Sequence, residues 1–129
     1  MHSNRAASLI TFTIVVLVVY VPIETLYSWP ALWDPFYLVD LIGMIVLGWG
    51  VARCRRQATP GNLAILAAGY AWEGANFWRA LFGRVEELAG GGQLRLGWAE
   101  LCFGICMTIA AIVGVGWPLR LATTHQATT

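Results

Sequence analysis

The stretch GNLAILAAGYAWEGANFWRALFG, residues 61–83, has the length and apolarity of a membrane span, yet it carries Glu73, Asn76 and Arg79. A spanning helix needs about 20 mainly apolar residues. An ionisable side chain inside one costs about 2.5–3.5 kcal/mol on insertion scales, so it is kept there only with a partner, water or a task. Three further stretches of this kind accompany it, at about residues 8–27, 35–52 and 96–121.

Composition supports lipid as the solvent. Of 129 residues, 58% are hydrophobic and 12% charged, with a mean hydropathy of +0.65. Soluble domains average roughly 45–50% apolar and about 25% charged residues. So little charge cannot cover a surface facing water. The net charge of +1 comes with no lysine and with scattered arginines, which argues against a nucleic-acid partner.

The breaks between the stretches carry turn chemistry. Trp29-Pro30 and Asp34-Pro35 mark the first, with Asp34 as N-cap and Pro35 at the first helical position. Residues 57–61, QATPG, mark the second. Gly90-Gly91-Gly92 marks the third, after the charged segment Arg84 to Glu87. Loops this short make neighbouring helices antiparallel. The expected fold is therefore an all-α integral membrane protein, a four-transmembrane-helix antiparallel bundle forming a single domain over residues 1–122, with a disordered tail at 123–129.

Arginine placement sets the orientation. With the N-terminus cytoplasmic, inside segments hold Arg5, Arg53, Arg55, Arg56 and Arg120, whereas the first outside loop holds none. Both termini are then cytoplasmic. Trp29, Trp33, Trp78 and Trp98 fall at outer helix ends and Trp49 and Trp117 at inner ends, as an interfacial aromatic belt requires. Arg5 and the apolar run after it resemble the start of a signal peptide. No small-residue cleavage site follows, so the first helix is read as uncleaved. The pattern suits a multi-pass protein of a bacterial inner (plasma) membrane.

Glu24, Asp40, Glu73, Asn76, Arg79 and Glu100 form the candidate ligand-binding set, all in the outer halves of their helices. At about 100° per residue, helix three aligns Asn62, Gly69, Glu73, Asn76 and Ala80. Helix four aligns Glu100, Gly104, Met107, Thr108, Ala111 and Gly114. Helix one aligns Thr13, Leu17, Tyr20 and Glu24, and helix two Tyr37, Asp40, Met44 and Leu47. Small residues mark faces where membrane helices approach closely, so Glu73 and Glu100 are expected to point inward and face each other. Two readings of this layer stand side by side. In the structural one, Arg79 pairs with Glu73 or Glu100 while Glu24 and Asp40 reach the headgroup water. In the other the layer binds a ligand, since four acids exceed what one arginine can pair. A second small face on helix three, Ala64, Ala67, Ala71 and Ala75, suits packing on another helix or on a second copy, and the chain is expected to be a homo-oligomer or part of a larger membrane complex.

No catalytic, cofactor or metal motif is present: no P-loop, no G-x-G-x-x-G, no H-E-x-x-H and no G-x-S-x-G. Neither histidine falls within a span, which excludes a haem held by two of them, and no E-x-x-H pair of the di-iron bundles occurs. Cys102 and Cys106 are i, i+4 neighbours, read as buried apolar side chains on a packed helix. Pro22-Ile23-Glu24 is similar to the proline–glutamate motif of small carotenoid-cyclase subunits over three residues only, too short a match to assign a family. Two functions stay open. One is a carrier for a small ligand, cation or proton, or an accessory subunit, with an outward-facing acidic layer. The other is a small membrane enzyme working on a lipid or isoprenoid by carboxylate acid–base chemistry.

Overall fold

A computed structural model describes residues 2–126, and side chains over residues 4–124. It is all-helical: α1 spans His2–Ser28, α2 Pro35–Arg56, α3 Pro60–Ala89 and α4 Trp98–Gln126. Asp34 caps α2 by accepting the Phe36 N–H at 2.8 Å, with Pro35 at the first position. Thr59 caps α3 through the Asn62 N–H at 3.2 Å, followed by Pro60. Both caps supply an acceptor to an N–H that has no partner within its helix.

The helices outrun the apolar stretches. α3 continues past its apolar stretch through Arg84–Glu87 to Ala89, because arginine, glutamate, leucine and alanine are good helix formers. It stops at the glycine run, where Gly91 takes φ 81°. α2 carries Arg53, Arg55 and Arg56 in its last turn, where cations favour the helix dipole. α4 extends to Gln126, so residues 123–126 are helical where a tail was expected. The remainder of that expected tail lies outside the described residues.

Three helical segments, Asn4–Ser28, Pro35–Arg56 and Trp98–Thr124, are long and apolar enough to cross a membrane. α3 has 30 residues, so it is not length that sets it apart. It holds Glu73, Arg79, Arg84, Glu86 and Glu87, which dilute its apolar character.

The helices close into a ring in which each touches the next and α1 touches α4. Contacts show an up-down-up-down arrangement. Leu47 of α2 lies over Gly69 of α3, and Leu66 of α3 over Gly50 of α2, where an added Cβ would come within 2.8 and 2.7 Å of those leucines. Gly74 of α3 meets Ala111 of α4, and Tyr70 meets Gly114. Phe12 and Trp117 join α1 to α4 with ring centroids 5.9 Å apart, and Thr25 meets Tyr37 of α2 at 3.0 Å. Glycines on facing helices let backbones approach, the packing route open to helices in lipid.

The core holds Leu9, Leu47, Leu63, Leu66 and Tyr70, all at most 1% exposed. The outer surface is apolar too, with Val18, Leu26, Ile45 and Ile112 each more than 60% exposed. An apolar surface this broad matches lipid rather than water. Two expectations change here. Cys102 and Cys106 are exposed on that outer surface, where a thiol is a small hydrophobe facing lipid, whereas Cys54 is buried. Ala67 is buried while Ala64, Ala71 and Ala75 are exposed, so these alanines do not form one free face.

Candidate functional site

The four polar stripes are the buried faces of their helices. Thr13 and Tyr20 of α1, Met44 and Leu47 of α2, Asn62 and Glu73 of α3, and Glu100, Met107 and Ala111 of α4 are all buried. α1 and α3 sit across the ring from each other, and long polar side chains bridge them. The Tyr70 hydroxyl donates to Thr13 Oγ1 at 3.0 Å, and the Tyr20 hydroxyl donates to Glu73 Oε2 at 3.3 Å.

Glu73 is the central residue. It is 1% exposed, yet its Oε1 has no hydrogen-bond partner. The carboxyl group fits because residue 43 of α2 is glycine: a Cβ there would come within 2.6 Å of Glu73 Cδ. The Asn76 side-chain amide, one turn along α3, is also without a partner at Nδ2. Buried polar atoms are nearly always satisfied, and each exception calls for a physical reason.

Above Glu73 a cavity of about 570 Å³ opens at the end of the bundle that carries Arg84. Glu24, Asp40, Asn76 and Arg79 line it, together with Tyr27, Tyr37, Arg84 and Arg95. Its size is typical of ligand sites, roughly 300–1,000 Å³. Glu24 and Asp40 are half-buried, whereas Arg79 and Arg95 are exposed. Glu24 and Asp40 are therefore less exposed than Arg79 and Arg95, while Asp34, the cap of α2, borders the same cavity. A second cavity of about 250 Å³ lies beside it, among α1, α3 and α4.

The six residues singled out from sequence do not form one layer. Glu24, Asp40, Asn76 and Arg79 share the larger cavity, Glu73 lies one turn beneath it, and Glu100 borders the smaller one. Glu73 and Glu100 do not face each other. Glu100 is level with Arg84, which is 11 residues beyond Glu73 on α3, or about 16 Å along the axis at ~1.5 Å per residue. The antiparallel register of α3 and α4 separates them.

Arg79 is not the ion-pair partner either. Its guanidinium lies over the Phe36 ring, 4.5 Å from the centroid. Arg84 pairs with Glu100 through Nε and Oε1, and its Nη2 donates to the Tyr27 hydroxyl at 3.0 Å. Tyr27 donates to Glu100 Oε1 at 2.5 Å. Glu100 Oε2 accepts the Leu96 N–H at 3.3 Å, a bond that reaches back past the start of α4 as in a capping box. Glu100 is thus a satisfied structural acid. Sequence reasoning missed Arg84 and Tyr27, because both fall where the apolar count ends and look like loop residues. Tyr20 was visible only as a member of the Glu24 stripe.

Chemically, the larger cavity offers three half-buried carboxylates, Glu24, Asp40 and the α2 cap Asp34, and a fourth one turn below, which suit a cation or a hydrogen-bond donor. The separation of Glu73 from Glu100 removes them as acid and base for one bond, since each would need to sit within about 3 Å of the reacting group. Compared with known protein families, curated proteins and solved structures, the chain matches none.

Proposed function

We propose that this chain is a multi-pass protein of a bacterial inner membrane, crossing four times with both termini cytoplasmic. In this reading its larger cavity opens to the extracytoplasmic side and takes a small cation or basic ligand, as a carrier or a ligand-binding subunit does. The observation that carries the reading is Glu73: a carboxyl 1% exposed, with one oxygen unpartnered, beneath a cavity bordered by three more acids, Glu24, Asp34 and Asp40. Leaving such an oxygen unsatisfied costs about 1–3 kcal/mol, which a cation or donor reaching it from the cavity one turn above would recover. Deeper in the bundle, Leu9, Leu47, Leu63 and Leu66 close the path with apolar side chains. The cavity is therefore one-ended, which favours binding, and a carrier would have to open that plug.

The fourth crossing rests on packing. α3 lies antiparallel between α2 and α4, both apolar enough to span, and meets them along most of its length. Reporter fusions after Gln93 and after Thr129 are expected on opposite sides of the membrane, the second one inside. Two fusions on one side would exclude four spans.

Glu73→Gln tests the site. It keeps the shape and the Tyr20 contact but removes the negative charge. Calorimetric titration of the purified protein with sodium, methylammonium and guanidinium should show binding to the native chain and a loss of about tenfold or more in the variant, or about 1.4 kcal/mol. The thermal midpoint should stay close to that of the native protein. Equal affinity in both would refute a role for Glu73.

A further inference from the structure

The smaller cavity differs from the larger one in chemistry. Its walls are mostly apolar, with Phe77, Leu81, Phe103 and Met107 around it. Ile23 on α1 and Ala99 on α4, which border it, are exposed, so it opens sideways between these two helices. Glu24, Tyr27, Ala80 and Arg84 border both cavities. An apolar slot facing lipid and a charged cavity facing the headgroups thus share one wall.

The charges of the larger cavity are also ordered. Glu24 and Asp40 are half-buried and make no salt bridge among the described residues. Arg79 and Arg95 stand exposed at the mouth, and neither has a carboxylate partner there: Arg79 covers Phe36, and Arg95 donates to the Tyr27 carbonyl at 3.1 Å. A free cation would engage only the acids, and a free anion only the arginines. Neither would use the slot. A ligand that matches all three has a cation at its tip, an anion behind it and a hydrocarbon chain.

We propose that the two cavities form one site for a zwitterionic phospholipid with a primary-amine headgroup. The ammonium meets Glu24 and Asp40, the phosphate meets Arg79 and Arg95, and one acyl chain enters the slot between α1 and α4. This rests on the binding reading above and names the class of ligand. A primary ammonium donates hydrogen bonds to carboxylates, which a quaternary choline cannot do, and glycerol headgroups bring no cation at all.

The test uses the full chain in phosphatidylcholine nanodiscs doped with phospholipids that bear the same photoreactive acyl chain on ethanolamine, choline or glycerol headgroups. Mass spectrometry then locates the adducts. The ethanolamine lipid is expected to label Phe77, Phe103 and Met107 about tenfold more than the other two, the equivalent of one good charged contact. Ala99→Phe, at an exposed position, fills the slot and should abolish those adducts. Asp40→Asn, which removes one of the carboxylates that take the ammonium, should bring the ethanolamine lipid down toward the choline level. Arg79→Gln, which removes a phosphate contact common to all three, should instead lower them together. Equal labelling by all three lipids, or adducts confined to lipid-facing residues such as Val18 and Ile112, overturns the proposal. If methylammonium still binds in a Glu73-dependent way in that case, the proposal fails alone. If methylammonium binding is absent as well, the binding reading fails with it.

Discussion

Arg84→Ala is expected to destabilise the protein by about 3 kcal/mol, the range seen when one partner of a buried ion pair is removed. Glu100 has a side chain only 8% exposed and loses its single ionic partner, keeping the Tyr27 hydroxyl and the Leu96 N–H. Tyr27 loses a donor in the same step, since Arg84 also bonds its hydroxyl. Arg79→Ala should cost much less, about 0.5–1 kcal/mol, because an exposed cation–π contact is all it removes. Unfolding each variant by titrating denaturing detergent into mild micelles measures both losses on one scale. The order is the point: if Arg79→Ala proves as damaging as Arg84→Ala, the assignment of the ion pair is wrong.

Gly114→Ala should be nearly as damaging, although it adds a single methyl group. Its Cβ would fall inside van der Waals contact of three Tyr70 ring atoms. Tyr70 is 1% exposed, and its hydroxyl is committed to Thr13 across the bundle. These atoms lie near the root of the side chain, so the ring cannot step aside without moving α4 or breaking that bond. Overpacking of this kind costs about 1–3 kcal/mol. Gly116→Ala, two residues on, is the control: an added Cβ meets nothing within 4 Å there. That change should be neutral or slightly stabilising, since alanine favours helix over glycine by about 1 kcal/mol. A detergent-unfolding comparison in which both variants behave alike would remove the close α3–α4 contact from the account.

Much of the candidate site could be read before any coordinates. A helix turns by a fixed angle per residue, so residues of one stripe stay on one face whatever surrounds the helix. That is why Asn62 and Glu73, and Glu100 and Met107, could be assigned to the inward side of their helices, and why Thr13 and Tyr20 could be placed on the face of Glu24. The cap at Asp34 was equally local, because a cap involves only residues two or three apart in the chain, whereas Thr59 was legible only as part of the break before α3. Helix ends were less legible. Apolarity marks where lipid ends, and backbone hydrogen bonding continues past it through Arg84–Glu87.

Sequence by itself therefore determined the helical elements, the apolar surface and the buried faces of Glu73 and Glu100, all of which depend on neighbours along the chain, but not the exposed place of Arg79. Tertiary structure alone decided which faces meet and at what height. Periodicity leaves the sliding of one helix past another undefined. That register is set by Leu47 over Gly69, Leu66 over Gly50 and Tyr70 against Gly114. With those contacts made, Glu100 falls level with Arg84 rather than with Glu73, and Glu73 lies against Gly43 and Tyr20 beneath an open cavity. Pairs of acids and arginines in a membrane are chosen by axial height, which side-chain packing between helices determines.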